Sequence, residues 1–367
     1  FIQIGMLPLI IYFQYEAPAF SFLANVAAVP LATCAFTLAF LLIFLPYTVF
    51  HEAISWMIQG VLWISRQSYG MLTIGHVPFL WVLLFYFMTG LWIWKKNGQN
   101  RHIRISLAYV IMIILIWIPM ARRKSLAFLD VGQGDCFVAD TKSGAIIFDG
   151  GSSSEDQVGR YRILPYMKYL GYQKIQIAVI SHMDIDHYSG IKELLEMGKI
   201  KYLGLPEIPK DETMKKIIGI AKKRGTTIFY LSRGRQITTK DGSLKVLHPQ
   251  KNSQMEKNAA SLVMQGKILG YRVLLTGDVE KEGEEELLLE ELERADILKA
   301  AHHGSKNSTS NEFLQKVQPK QTVISCGKQN RYGHPHLETI HRLQTYHTKI
   351  YRTDRSGAII FFKRRDG

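Results

Sequence analysis

Apolar residues crowd the first third of the chain and afterwards fall into short, regularly broken runs, so the hydrophobic pattern alone divides the 367 residues in two. Phe20 to Phe50 carries no charged residue and exceeds the roughly 20 apolar residues that cross a bilayer core, which predicts a spanning helix. Val77 to Trp94 predicts a second, and Ile105 to Ala121 a third, flanked by Arg104 and by Arg122, Arg123 and Lys124. Phe1 to Phe13 reads as the tail of a fourth. Between these, His51 to Gly75 mixes Trp56, Ile58, Leu62 and Trp63 with Glu52, Gln59 and Arg66, the pattern of an amphipathic helix that lies in the membrane interface or faces a channel.

After Arg122 the pattern changes to runs of four to six apolar residues punctuated by Gly and Asp. Ser125 to Leu129, Cys136 to Ala139, Gly144 to Phe148 and Ile175 to Ile180 are predicted strands, with helices at Arg162 to Leu170 and Gly190 to Met197. Lys201 to Leu205, Thr226 to Leu231 and Leu244 to Leu247 continue the strands around a helix at Thr213 to Arg224. The theme then repeats: Ala260 to Gln265 pairs with Tyr271 to Thr276, an acidic helix covers Glu280 to Leu292, and a strand from Ile297 ends on His302 and His303. Val323 to Cys326, a helix from Glu338 to Tyr346 and Ala358 to Phe362 complete it. Two comparable α/β halves imply a sandwich of sheets covered by helices. The expected organisation is therefore multi-domain, a transmembrane α-helical region at 1–121 and an α/β domain at 122–367.

Charge sharpens the boundary. Of the 45 Lys/Arg and 31 Asp/Glu, five and two precede Arg122, which leaves 40 and 29 in the remainder, a net +11. Four Lys/Arg between Lys95 and Arg104 predict a cytoplasmic loop, so one further crossing places the α/β domain outside the cytoplasm. The chain begins on Phe within apolar sequence, and the expectation is the C-terminal part of a longer multi-pass membrane protein. Cys34, Cys136 and Cys326 offer no paired framework and no Cys-x-x-Cys spacing, so they read as isolated thiols.

The chemistry concentrates at Ser181 to His187, where His182, Asp184, Asp186 and His187 follow directly on a buried strand. Two imidazoles and two carboxylates converging there need a cation to offset their desolvation. Asp278 and His303, each also where an apolar run stops, extend the candidate set to six metal ligands. A metal ion held there would make the chain a hydrolase. Asp186 is then essential for catalysis. His302 either protonates the leaving group, holds a phosphate or props His303, and Lys299 either pairs with a phosphate or ligand carboxylate or faces solvent. Asn258, Ser261, His334 and His336 either line the substrate cleft or shape its loops.

SHMDIDH (181–187), LLTGD (274–278) and AAHHGS (300–305) resemble the metallo-β-lactamase superfamily. The ordered series LDVGQGD (129–135), FDGG (148–151), SHMDIDH, NAASLV (258–263), LLTGD, HHGS, YGHPH (332–336) and TDRSG (353–357), joined to the upstream segment beginning GMLPLIIYFQYEAPAF, resembles the C-terminal half of the ComEC family of competence DNA-uptake channels. The resemblance implies an αββα sandwich with His182 and Asp184 on one metal, Asp186, His187 and His303 on the other, and Asp278 bridging; the superfamily usually has a second His where this chain has Asp184, a departure that makes the set harder and more anionic and favours Mn²⁺ or Mg²⁺ over Zn²⁺. Two such ions would activate water and stabilise a departing phosphodiester oxygen. In LDVGQGD, Asp130, Gly132, Gly134 and Asp135 match the turn that supports the metal loop. It further implies single-stranded DNA, membrane lipid and other competence proteins as partners, leaves room for a homo-oligomer, and gives the domain the role of degrading the strand that is not transported. His248, in VLHPQ, does not fit the remaining ligand position.

Net positive charge suits a polyanion or anionic lipid equally. Arg233 and Arg235, and the helix bearing Lys215, Lys216, Lys222, Lys223 and Arg224, are either phosphate contacts or a solvated face. Three classes fit these residues: a DNA channel with a nuclease domain, a membrane-anchored metallo-phosphodiesterase for a small or cell-wall substrate, and a non-catalytic module that guides DNA.

Overall fold

The computed structural model describes residues 2–18, 21–44, 48–66, 70–94, 106, 123–255 and 258–364. The chain divides into two compact units, Phe1–Met120 and Ala121–Gly367. The first contains the helices α1 (Ile2–Gln14), α2 (Ser21–Leu41), α3 (Thr48–Arg66) and α4 (Phe79–Trp94), and a two-stranded antiparallel sheet of β1 (Glu16–Pro18) and β2 (Met71–Thr73). Helix α2 packs on α3, and α1 on α4. Among the described residues one helical stretch, Ala24–Leu41, is long and apolar enough to cross a membrane; Gly5–Gln14 and Phe79–Leu91 are apolar but shorter.

Two expectations change here. Phe20 to Phe50 is not one helix: α2 ends at Leu41, turns through Leu42 to Phe44, and a new helix starts at Thr48. The intervening sequence holds Pro46, which cannot donate to a helical ladder. Among the described residues the amphipathic stretch is helical to Arg66 and contributes β2. The predicted span at 105–121 and the basic loop at 95–104 lie outside the described residues, Ser106 apart.

In the second unit, β3 (Ser125–Phe128), β4 (Phe137–Thr141), β5 (Gly144–Phe148), β6 (Ile175–Val179), β7 (Ile200–Pro206), β8 (Thr227–Leu231) and β16 (Ile359–Phe362) form one seven-stranded sheet in the order β16-β3-β4-β5-β6-β7-β8. The other sheet runs β15 (Lys349–Arg352), β14 (Gln321–Ile324), β13 (Ile297–Lys299), β12 (Tyr271–Leu275), β11 (Val263–Ile268), β10 (Gly242–His248), β9 (Gln236–Thr239). Each is antiparallel in its hairpins and parallel from β5 to β8 and from β12 to β15. The halves are thus copies of one scheme.

Because side chains alternate across a strand, strands apolar at every position must be covered on both faces. Leu126, Phe128, Ile146 and Phe148 point between the sheets against Val246, Met264, Val273, Leu275 and Val323. The intervening Ala127, Ala145 and Ile147 face outward under Met167 of α5 (Leu164–Tyr169), Ile191, Leu194 and Leu195 of α6 (Ile185–Glu196) and Ile217 of α7 (Glu212–Lys223). On the opposite side, Leu274, Leu298 and Ile324 meet Leu287 of α8 (Lys281–Leu288), Phe313, Leu314 and Val317 of α9 (Asn311–Val317) and Leu343 of α10 (Leu337–Thr345). A short helix, α11 (Thr353–Ser356), precedes β16. The result is four layers, helix, sheet, sheet, helix. Each fully buried Leu, Ile or Phe contributes about 1.5–3 kcal/mol of transfer free energy.

The differences from the sequence reading fall near the site. Helix α6 starts at Ile185, five residues before the expected Gly190, because the Asp184 carbonyl accepts from the His187 and Tyr188 amides. Asp186 and His187 therefore stand on a helical turn and not in a loop. The strand expected from Ala260 begins at Val263, since residues 258–262 turn, with Ser261 N–H donating to Asn258 O and Leu262 N–H to Ser181 O. The acidic helix stops at Leu288, four residues early, and β9 has no counterpart in the apolar pattern: of QITT, Ile237 alone is a buried apolar residue.

Candidate metal centre

Parallel strands deliver the chemistry at their C-terminal ends, where both sheets open at the same edge. From β6 come Ser181, His182 and, one turn into α6, Asp186 and His187; from β5, Asp149; from β12, Asp278; from β13, Lys299, His302 and His303. Glycines let these segments approach. A Cβ on Gly151 would lie 2.6 Å from the Asp186 carbonyl carbon and the His187 nitrogen, and one on Gly134 2.2 Å from Gly151 O. The backbone ties follow: Asp135 N–H to Asp186 O at 3.0 Å, Gly151 N–H to Asp135 O at 3.1 Å and Gly150 N–H to His187 O at 2.9 Å. FDGG and VGQGD thus clamp the first turn of α6.

The imidazoles are oriented from behind. His303 Nδ1 faces the Ser325 carbonyl at 2.9 Å, and His187 Nδ1 faces Asp149 Oδ2 at 3.0 Å. Both partners only accept, so each Nδ1 carries a proton, and each ring, once it gives up its second proton, presents a bare Nε2 lone pair on the other side. His182 Nδ1 sits 3.0 Å from Ser181 Oγ and 3.2 Å from Ser261 Oγ, which likewise turns its Nε2 outward. All three histidines are buried, and none of the three Nε2 atoms makes a well-formed hydrogen bond among the described residues.

What those lone pairs face is anionic. Asp278 Oδ2 lies 3.2 Å from His187 Nε2 and 3.3 Å from His303 Nε2; Asp186 Oδ2 is 3.4 Å from His303 Nε2, and Asp184 Oδ2 3.6 Å from His182 Nε2. Lone pair against carboxylate in a buried site is repulsive unless a proton or a cation lies between. The residues present therefore fit a divalent metal. The same geometry explains the protonation behaviour: burial opposes charge on His303, but Asp278 and Asp135 outweigh it and push the ring up to about 10. His187 is raised well above the usual imidazole range against the same burial, by Asp278 and Asp149.

Asp135, His187, Asp278 and His303 offer donor atoms that all lie within 4.8 Å of one another. Asp135, however, approaches the two rings from their Nδ1 sides, at 3.7 and 3.6 Å, and its charge is taken by Lys299. The Nε2 side of the cluster is completed by Asp186. Lys299 is itself buried, donating to Gly277 O at 2.8 Å and to Asp278 Oδ1 at 3.3 Å. Burial works against its charge, yet Asp135 and Asp278 raise its pKa. It therefore acts as a fixed internal cation, facing neither solvent nor substrate.

His302 and His303 both adopt left-handed backbone conformations, φ 48° and 54°. Two consecutive non-glycine residues there are held at a cost of order 1–3 kcal/mol each, which the surrounding structure must over-determine. The strain sends the neighbouring rings in different directions, His303 inward and His302 along the mouth, with Nδ1 2.9 Å from Glu280 Oε1 and Nε2 3.8 Å from Asp278 Oδ2. A cleft of about 260 Å³ opens here, lined by Asp184, Asp186, Asp278, His302, His303 and His334 among others.

The other predicted residues separate. Ser261 is fully buried behind His182, and its Oγ also accepts from the Asp278 amide at 3.3 Å, so it lines no cleft. Asn258 donates to Glu280 at 3.2 Å; His336 Nδ1 accepts from Lys306 N–H at 3.2 Å. His248 lies elsewhere, bonded to the Ala259 carbonyl at 2.7 Å and 3.4 Å from Glu286. Arg233 is no phosphate contact: its guanidinium pairs with Glu286 and Glu290, both at 2.8 Å. Asp149, which sequence reasoning gave no role, orients His187; its place in FDGG beside LDVGQGD was the available signal.

Comparison with known proteins agrees with the two-unit pattern. Residues 129–328 match the family model described as metallo-beta-lactamase superfamily, and residues 1–99 the one described as competence protein. The whole chain is 31% identical to ComE operon protein 3 of Bacillus subtilis (strain 168), covering 51% of it. Over 65% of the chain it is 30% identical to competence protein ComA of Neisseria gonorrhoeae, and over 72% it is 27% identical to recombination protein 2 of Haemophilus influenzae, covering 32% of each. The chain spans about half the length of the first of these relatives and a third of the others.

Proposed function

Because the chain belongs to the ComEC family, a metallo-beta-lactamase superfamily domain joined to a competence-protein segment, we propose that it forms part of a membrane channel for DNA uptake whose C-terminal unit hydrolyses the strand that is not transported. The N-terminal helices would then sit in the cell membrane as part of a multi-pass channel, with the second unit extracytoplasmic. The observation that carries the hydrolase reading is the convergence of His187 and His303 Nε2 on one oxygen of Asp278.

The donor set suits divalent metal: Asp186, His187, Asp278 and His303 would hold one ion, and His182 and Asp184 would hold a second. Mn²⁺, Mg²⁺ or Zn²⁺ held there would supply Lewis-acid stabilisation of the phosphodiester and of attacking water. The chain's own residues do the rest. Asp149, Ser325 and Ser261 fix the imidazoles, and Lys299 neutralises Asp135 so that the cluster's remaining negative charge is reserved for metal. His302, propped by Glu280 at the cleft mouth, would give a proton to the departing oxygen.

The test is digestion of single-stranded DNA by the full chain in detergent micelles, across Mn²⁺, Mg²⁺ and Zn²⁺, with Asp186→Ala as the control. Metal-dependent cleavage lost in the variant supports the reading. Turnover of small phosphodiesters alone would shift it to a membrane-anchored phosphodiesterase, and DNA binding without turnover to a guiding module.

A further inference from the structure

Beyond the histidines, the cleft ends in a short aromatic ladder that the hydrolytic chemistry does not use. Tyr332 stacks on His334 with ring centroids 5.7 Å apart and planes at 22°, and His334 lies 6.1 Å from His303 at 32°. The Arg331 guanidinium rests 4.9 Å from the Tyr332 centroid, with Nη2 2.7 Å from the phenol oxygen. All three side chains line the same cleft as Asp186, Asp278 and His303. Tyr332 nevertheless keeps 42% of its surface exposed.

An exposed tyrosine in a polar cleft has its position fixed by the backbone, and here that backbone is tied. Asn330 accepts from His334 N–H at 2.9 Å and donates to the carbonyls of Gly327 and His334, at 3.0 and 2.6 Å. Gly327 N–H in turn donates to Gln133 Oε1 at 3.1 Å, so the ladder is anchored to the turn that clamps α6.

We propose that Arg331, Tyr332 and His334 form a nucleobase subsite that stacks an unpaired base next to the scissile phosphate. This rests on the reading of the second unit as a DNA phosphodiester hydrolase. Every nucleobase has a π-face, so a stacking site holds single strands of any sequence, whereas a paired base within a duplex has no free face to offer. Arg331, exposed and lying on the ring, is displaced by the base toward the adjoining phosphate. A ligand with an aliphatic body would find a poor match, since Ile185 is the one aliphatic residue among the described residues that line the cleft.

The experiment compares the full chain in detergent, loaded with Mn²⁺, with Tyr332→Ala and Tyr332→Trp on three substrates: a single-stranded oligonucleotide, the same length built of abasic nucleotides, and methyl p-nitrophenyl phosphate. The expected result is that Tyr332→Ala lowers kcat/KM on the natural oligonucleotide about tenfold relative to the small ester. On the abasic oligonucleotide it adds no loss, and Tyr332→Trp restores the natural rate. As a readout independent of turnover, an oligonucleotide carrying 2-aminopurine, added in EDTA, is quenched by the parent chain and not by Tyr332→Ala. An equal loss on natural and abasic strands, no loss on either, or quenching that survives Tyr332→Ala would overturn the subsite. Hydrolysis of the small ester by the parent chain with both oligonucleotides untouched would overturn the DNA reading itself, and the subsite with it.

Discussion

Asp149 Oδ2 accepts the Nδ1 proton of His187 at 3.0 Å, and its other oxygen takes the Ser181 amide at 2.7 Å. One carboxylate thereby fixes both the ring and the start of the segment that carries it. Partners of this kind are worth about 10- to 100-fold in metal affinity. Asp149→Ala should weaken Mn²⁺ binding by that factor, and Asp149→Asn by less, because its amide oxygen still accepts from Nδ1. Calorimetric titration of the metal-free chain measures both; unchanged affinity in Asp149→Ala would mean that His187 is oriented by something else.

Lys299 stands among buried carboxylates, and deleting one partner of such a group costs about 3–5 kcal/mol because the other charge is stranded. Lys299→Met should therefore destabilise the metal-free second unit by roughly that much, Asp135 losing its ion pair. Adding Asp135→Asn should recover most of the loss, since the stranded charge is gone. Urea unfolding of the two variants decides it, and a double variant no more stable than the single would contradict the pairing.

Metal and protons compete for the same lone pairs. His303, at about 10, and His187, raised well above its ordinary value, hold protons at pH 7 in the metal-free chain. Binding a divalent ion must release them, so affinity should rise with pH, up to tenfold per unit for each proton displaced, with the His303 contribution levelling off above about pH 10. Titrations in two buffers of different ionisation enthalpy count the protons directly. A count near zero would show that both rings are already neutral.

A methyl group at Gly151 would have to displace the first turn of α6, given 2.6 Å to the Asp186 carbonyl carbon and the His187 nitrogen. A shift of about 1 Å at a catalytic group costs roughly 100-fold in rate. Gly151→Ala should lose activity on that scale with its secondary structure intact by circular dichroism. Gly219→Ala, in α7 with open space around its Cβ position, should keep full activity and gain about 0.5–1 kcal/mol from helix propensity. Equal activity in the two variants would remove the clamp as an explanation.

Strand ends were legible in the sequence wherever an apolar run was broken by Gly, Asp or His, which is why His187, Asp278 and His303 could be brought together without coordinates. Periodicity does not encode what backs a ring. Asp149, Ser325 and Lys299 act through contacts between segments distant in sequence: Ser325 lies 22 residues from His303 and Asp149 38 from His187. The start of α6 was misjudged for a related reason: the helix begins in polar metal-binding sequence, where its first turn is set by backbone clamping more than by an apolar stripe. Ser261 misled as a cleft residue because a hydroxyl beside a ligand serves as well behind the ring as in front of it.

Asp296 allows the fold to be tested apart from the metal. It precedes β13, accepts the Arg272 amide at 3.0 Å, and lies 3.1 Å from Lys320, 3.6 Å from Arg272 and 3.5 Å from Arg364. Burial alone would raise its pKa, but the amide bond, Lys320, Arg272 and Arg364 outweigh it and hold the carboxyl at about 2, below its ordinary 3.8. A carboxylate depressed in the folded state adds stability above its unfolded value and loses it as pH falls through the folded one. Asp296→Asn should therefore cost about 1 kcal/mol at pH 7, the full linkage figure being discounted because three of its partners reach solvent. That cost should fade between about pH 4 and pH 2 as the parent's own carboxyl protonates. Urea midpoints of parent and variant across pH 2–7 in EDTA measure it, and a difference that stays constant down to pH 2 would show that Asp296 contributes through packing and not through its charge.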